Sequence, residues 1–238
     1  MTRFTLPIIV LAALALQLKA ADNEEVIPKH LADARALVKA LDLTDTEYKH
    51  GPGEIVWTGK VKAECDCSGL VNHLLAHSYG TTGDDLKDWF GAKRPTARRY
   101  HDTIAEGKTK PWAKVKTLND AKPGDVIAIK YDNAEKGENT GHVMLIDAVP
   151  TEQKDAPTGI DGAEKEWHIR VIDSTGSPHG KTDTRYEKGK KHTGVGSGTF
   201  RIYTGKSDDV VGYTWSTDSA KTVYRQTDHD VVIGRFQK

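Results

Sequence analysis

The run Asp66-Cys67-Ser68-Gly69-Leu70-Val71 constrains this chain more than any other stretch, because it sets a thiol where a helix has to begin. Leu70, Val71, Leu74, Leu75 and Tyr79 follow at spacings of one, three and four, which puts them on one side of an α-helix that must be covered. Asp66 is a good N-cap, so Cys67 becomes the first helical residue. It then lies beside backbone N–H groups that have no partner inside the helix, at the positive end of the macrodipole. Both features favour the thiolate, the form of cysteine that attacks a carbonyl. In a passive role the same cysteine would be a small buried hydrophobe, so the assignment depends on what else the chain brings to it.

A nucleophilic thiol needs a base, and the base needs an orienting group. Lys122-Pro123-Gly124-Asp125 reads as a turn that opens the strand Val126-Ile127-Ala128-Ile129. In Gly141-His142-Val143-Met144-Leu145-Ile146, His142 is the first polar residue ahead of an apolar run of strand type. The segment from Trp167 to Ser174 alternates as a strand and ends on Asp173. If these strands pair side by side, His142 and Asp173 meet at one edge of the sheet, and the helix carries Cys67 to the same edge.

The motifs D-C-S-G-L-V, K-P-G-D-V-I and G-H-V-M-L-I, in this order, resemble the NlpC family of papain-like cell-wall cysteine peptidases, with the CHAP amidases as close relatives. The likeness runs over residues 54–202. It implies a papain-like α+β fold, with N-terminal helices packed on an antiparallel sheet and the nucleophile at a helix N-terminus. Carried over by position, it implies Cys67 as nucleophile, His142 as base and Asp173 as third residue, a place where the family more often has His, Asn or Gln. It further implies that Asp66 and Ser68 bind the substrate's amino end, that Trp57 is a wall of the cleft, and that the substrate is the peptide stem of bacterial peptidoglycan. No cofactor is implied. The same thiol chemistry serves amidases and acyltransferases, and a non-catalytic wall- or partner-binding module on this fold is the alternative.

Met1-Thr2-Arg3, the apolar run from Leu6 to Leu16 and Gln17-Leu18-Lys19-Ala20 read as a signal peptide cleaved after Ala20, too short for an ordinary span of the bilayer. The expected organisation is a leader at 1–20, an N-terminal helix and linker at 21–50 and a catalytic domain at 51–238. The mature protein is then secreted or periplasmic without stable membrane insertion. The 34 basic and 34 acidic side chains leave no positive field of the kind a nucleic-acid binder carries. The only two cysteines, Cys65 and Cys67, form no disulfide framework, and Cys65 reads as a buried residue ending the preceding segment. Cys65, Cys67, His73 and His77 have spacings compatible with zinc. The two histidines, however, lie off the face defined by Leu70, Val71, Leu74 and Leu75, so no metal site is expected.

Helices are expected over Ile27–Leu43 and over Thr96–Glu106, the latter capped by Thr96 and stopped at Gly107. Further strands are expected at Thr199–Tyr203, Lys221–Arg225 and Val231–Phe236. Residues 147–167 read as a surface excursion. Residues 176–198 read as a solvated loop, whose Lys181, Arg185, Lys188, Lys190 and Lys191 could form a basic rim to the cleft.

Overall fold

The computed structural model describes residues 27–132, 134, 139–154 and 160–237 of the chain. The expected leader, residues 1–20, lies outside them.

Runs that alternate apolar residues on both faces, such as Val126–Tyr131 and Gly141–Ile146, have to lie between two cores, and they form the middle of a nine-stranded sheet. The strands, numbered in chain order, are β4 (Trp112–Val115), β5 (Val126–Tyr131), β6 (Gly141–Ile146), β7 (Thr151–Gln153), β8 (Lys165–Thr175), β11 (Gly194–Thr204), β12 (Val210–Thr214), β13 (Tyr224–Arg225) and β14 (His229–Phe236), while β9 (Tyr186–Glu187) and β10 (Lys190–Lys191) pair only with each other. Their order is β13-β12-β11-β8-β6-β5-β14-β4, with β7 added along β8, and every pairing is antiparallel. The period of two sends Val126, Ala128, Val143, Leu145 and Ile172 to one face and Ile127, Ile129, Met144, Ile146 and Val171 to the other. The sheet curls around the second set. At the closing seam the Tyr213 hydroxyl of β12 hydrogen-bonds His229 Nδ1 of β14 at 2.6 Å, and Tyr224 of β13 stacks on the same imidazole at 4.7 Å.

The first set is covered by helices. Among the described residues there are four: α1 (Lys29–Ala40), α2 (Cys67–Tyr79), α3 (Gly83–Phe90) and α4 (Ala97–Glu106). The expected stripe on α2 is buried against the sheet and α1, with Leu70, Leu74 and Leu75 all at most 1% exposed. α4 lies across β5 through Tyr100 and Ile104. The molecule is thus a mixed α+β structure with helices on one side of a large antiparallel sheet.

Several expectations change in detail. The helix expected from Ile27 starts after Pro28, whose carbonyl accepts from Leu31 and Ala32, and ends at Ala40. Thr96 precedes α4 but makes no capping bond with its side chain. α3 was not anticipated, because its two turns bury only Leu86 and Phe90, too few to show a period. Its capping box between Thr82 and Asp85 was the available signal. Three strands precede α2: β1 (Thr46–Tyr48), β2 (Glu54–Val56) and β3 (Lys62–Cys65), with β1 parallel and β2 antiparallel to β3. Residues 27–50 are tied into the same body by α1 against α2 and by β1 against β3. The strand expected at Lys221–Arg225 shrinks to Tyr224–Arg225.

Leu74 is fully buried between α1 and the sheet. Leu74→Ala should cost about 2–5 kcal/mol of unfolding free energy, read as a shift of the urea midpoint at unchanged slope. A loss below about 1 kcal/mol would mean that this face of α2 is not packed as described.

Candidate active site

The tip of α2 is built as its sequence requires. Asp66 is extended (φ −82°, ψ 178°) and its Oδ1 accepts from the Gly69 N–H at 2.7 Å and from the Ser68 hydroxyl at 3.0 Å. Oδ2 accepts from Arg94 at 2.6 Å. The cap takes the Gly69 N–H and the Asp66 carbonyl takes that of Leu70, which leaves the N–H groups of Cys67 and Ser68 at the open end of the helix. Cys67 is buried but for 5% of its surface.

His142 opens β6 directly after Gly141, where a Cβ would run into the Ile129 carbonyl oxygen, so only glycine lets β6 lie this close to β5 there. The register Leu145↔Ile172 between β6 and β8 places Met144 opposite Asp173 and makes His142 the diagonal neighbour of Asp173 on the same face. The two side chains meet there: His142 Nε2 donates to Asp173 Oδ2 at 2.6 Å. The charge of Cys67 acts on the same ring, and with Nε2 engaged by Asp173 the nitrogen left for the sulfur is Nδ1. Cys67, His142 and Asp173, which come from three separate segments, are therefore brought together.

Electrostatics keep His142 and Asp173 charged. Burial alone would push the His142 imidazole down. The charge of Cys67 and the hydrogen bond to Asp173 outweigh burial and raise it to about 10. Asp173 is fully buried and would be pushed up by desolvation, but Arg185 and His179, with the bonds from both imidazoles, hold it well below the usual carboxylate range. Burial pushes the Cys65 thiol up to about 12; Cys65 is fully buried at the end of β3 and its carbonyl accepts from Ser174 at 2.6 Å. The two cysteines, two apart in sequence, thus sit in opposite environments.

Asp173 has two further partners that the sequence did not suggest. His179 Nε2 donates to Asp173 Oδ2 at 3.0 Å, and Arg185 meets Oδ1 at 2.9 Å. Arg185 also forks onto Asp183 at 2.9 and 2.7 Å, and it is wholly buried. This corrects the reading of residues 176–198: Lys181, Lys188, Lys190 and Lys191 are exposed, but Arg185 is no rim residue, and His179, Asp183 and Arg185 fold in under the sheet edge. The room comes from β11, whose Gly196 lies opposite Asp173. A Cβ at Gly196 would lie 2.6 Å from Arg185 Nε, and one at Gly198 would lie 2.6 Å from the Cβ of His179. The stripe Gly194-x-Gly196-x-Gly198 was the signal in the sequence, and it masked the first half of a strand that runs from Gly194 rather than from Thr199.

Two openings flank the thiol. A pocket of about 100 Å³ is lined by Asp66, Cys67 and Ser68, and a cleft of about 560 Å³ beyond His142 is lined by Tyr48, Tyr131, Trp215 and Tyr224 with serine and threonine hydroxyls. Tyr48 and Asn139 border both. Burial and then the charges of Cys67 and Asp66 push the Tyr48 phenol up, so it keeps its proton and remains a donor. Trp57, expected as a cleft wall, lines neither opening. The β2–β3 connection carries it to His77, whose ring it stacks on at 4.0 Å, ten residues and about 15 Å along α2 from Cys67. The wall aromatics are instead Tyr48, Tyr131, Trp215 and Tyr224. His73 turns to the Pro52 carbonyl, Cys65 faces the core, and among the described residues no group of three or more His, Cys, Asp or Glu side chains is placed to hold a metal ion.

Two outcomes test this geometry. In the native protein iodoacetamide should modify Cys67 and spare Cys65, with both modified after unfolding; equal native labelling would contradict the two environments. Asp173→Asn should destabilise the fold by about 3–5 kcal/mol, because it leaves buried cations without their anion. The native carboxyl lies below its ordinary 3.8, so this contribution is complete above pH 3.8 and fades as pH falls beneath it. Wild type and Asp173→Asn should therefore converge in stability on acidification, and a gap unchanged down to pH 2 would refute the assignment.

No protein-family model matches the chain, and no solved structure matches it. It is 33% identical over 221 residues to a protein of Acanthamoeba polyphaga mimivirus described as "Uncharacterized protein R653", an alignment covering 88% of this chain and 96% of the viral one. Identity of that extent over nearly the whole of both chains means that this chain belongs to the same family as the mimivirus protein.

Proposed function

We propose that the protein is a cysteine hydrolase that cleaves amide bonds through an acyl-enzyme on Cys67, on a papain-like arrangement of the NlpC type. One observation carries the reading. A single imidazole, that of His142, is hydrogen-bonded at one nitrogen to a buried, ionised carboxylate and feels the charge of a thiol at a helix tip, beside an open cleft. Buried structural cysteines have no such partner.

In this mechanism the imidazolium of His142 stabilises the Cys67 thiolate, which attacks the amide carbonyl. The oxyanion develops at the helix tip, within reach of the Cys67 and Ser68 N–H groups and of the neutral Tyr48 phenol that borders both openings. His142 then gives its Nδ1 proton to the leaving amine, takes one from water, and the resulting hydroxide releases the acyl group. Asp173 holds the ring in the tautomer that presents Nδ1 to the sulfur. The substrate class, the stem peptide of peptidoglycan, follows from the motif resemblance, as does a secreted or periplasmic site of action. Asp66 and Ser68 line the small pocket, so an incoming ammonium would share Asp66 Oδ2 with Arg94.

Incubating the protein with purified peptidoglycan and identifying released fragments by mass spectrometry should reveal new amine ends inside the stem peptides. Cys67→Ala should abolish release, by at least about 1,000-fold, without loss of thermal stability. Release that survives this substitution, or no release from peptidoglycan by wild type, would overturn the nucleophile or the substrate class respectively. Because the raised imidazole is protonated below about 10, the rate should hold through neutral pH and fall as pH rises through that value. A decline centred near 6.5 would show that His142 is not the acid.

A further inference from the structure

His179 neither touches the thiol nor lines the described openings beside it, yet it is completely buried and bonded at both ring nitrogens. Nε2 faces Asp173 Oδ2 at 3.0 Å and Nδ1 faces the Trp215 carbonyl at 2.7 Å. Both oxygens only accept, so each nitrogen must present an N–H, and a ring that does so is an imidazolium. A lone pair aimed at a carbonyl oxygen at that distance would be repulsive instead. Charges of both signs surround it: Asp173 and Asp183 are negative, and Arg185 and the His142 imidazolium, which meets the same Asp173 oxygen, are positive. The other neighbours are neutral. The Trp215 ring stacks on His179 at 4.4 Å, Phe200 meets it edge-on at 6.0 Å, and the His179 backbone N–H donates to Asp183.

We propose that His179 is a positioning residue for the Cys67–His142 pair, a fixed second imidazole that shares Asp173 Oδ2 with His142 and so limits how tightly that carboxylate holds the His142 ring. The proposal rests on the hydrolase reading for its consequence, but not for its geometry. Two donors on one oxygen compete for the same electron density, and the positive charge of His179 offsets part of the charge that His142 experiences. Without it Asp173 acts on His142 alone. His142 then keeps its proton to higher pH and gives it up less readily to a leaving amine. Trp215 couples the two rings mechanically, because it stacks on His179 and presents itself to His142 at 4.9 Å while its indole N–H is anchored on the Ser177 carbonyl.

The test uses the full chain with nitrogen-15-labelled histidine. In wild type the His179 ring should show two N–H protons across the neutral range, a measurement that needs no variant; a ring with a single N–H would overturn the fixed cation. His179→Gln keeps one donor to Asp173 and removes the charge. The titration midpoint of His142 should then move up, by about one pH unit or less. The pH dependence of Cys67 alkylation gives a second view of the pair and should change with the variant. A folded His179→Gln protein in which His142 titrates as in wild type would leave His179 a packing residue only. None of these readouts needs turnover, so they fail independently of the peptidoglycan assay. Where turnover is measurable, the variant should lower kcat more than it changes KM, and an equal effect on KM would argue for substrate contact instead.

Discussion

The structure depends on one buried carboxylate. Asp173 has no exposed surface, and a lone anion there would cost several kcal/mol. It stays charged because two imidazoles meet one of its oxygens and a guanidinium meets the other. Those three groups come from β6, from the β8–β11 connection and from the same connection six residues further on. One side chain thus joins His142 to a loop that would otherwise be solvated. Neutralising or removing it affects the orientation of His142 and the fold together.

Making room for that cluster has consequences elsewhere. A buried arginine needs volume, and the sheet supplies it by omitting side chains at Gly196 and Gly198, directly across the strand pair from Asp173 and Val171. Arg185 fills the gap and is satisfied by Asp183, Asp173 and the Gly194 carbonyl. The polar network under the sheet edge is buried and carries charges of both signs, so His142 meets surroundings shielded from solvent. Trp215 covers the network from the cleft side, so the same residue forms a wall of the larger opening and a lid on the charges beneath it.

On the other side of the sulfur the arrangement is more open. Tyr48 and Asn139 border both pockets, and among the described residues the larger cleft is lined by aromatic rings and hydroxyls, with no carboxylate, lysine or arginine. A substrate held there would be read by shape and hydrogen bonding rather than by charge. Asp66 and its partner Arg94 lie on the side of the small pocket. The two openings therefore differ in polarity across the point where a scissile bond would lie.

What the sequence determined by itself was local. The cap at Asp66, the buried stripe of α2 and the strand identities of residues 126–131, 141–146 and 165–175 follow from propensity and period, because each depends on neighbours within a few residues. The candidates Cys67, His142 and Asp173 could be picked out because each sits at a marked place, a helix start, a strand start and a strand end. The tertiary structure alone decided the rest. Trp57 could not be placed from its position before Cys67, since the turn after β2 sends it to the far end of α2. His179 and Arg185 stand in a charged, proline- and glycine-containing segment whose local pattern is that of a solvated loop. They are buried because a carboxylate on another strand needs cations, and a period of two or 3.6 residues carries no information about a requirement that arises only once distant strands have paired.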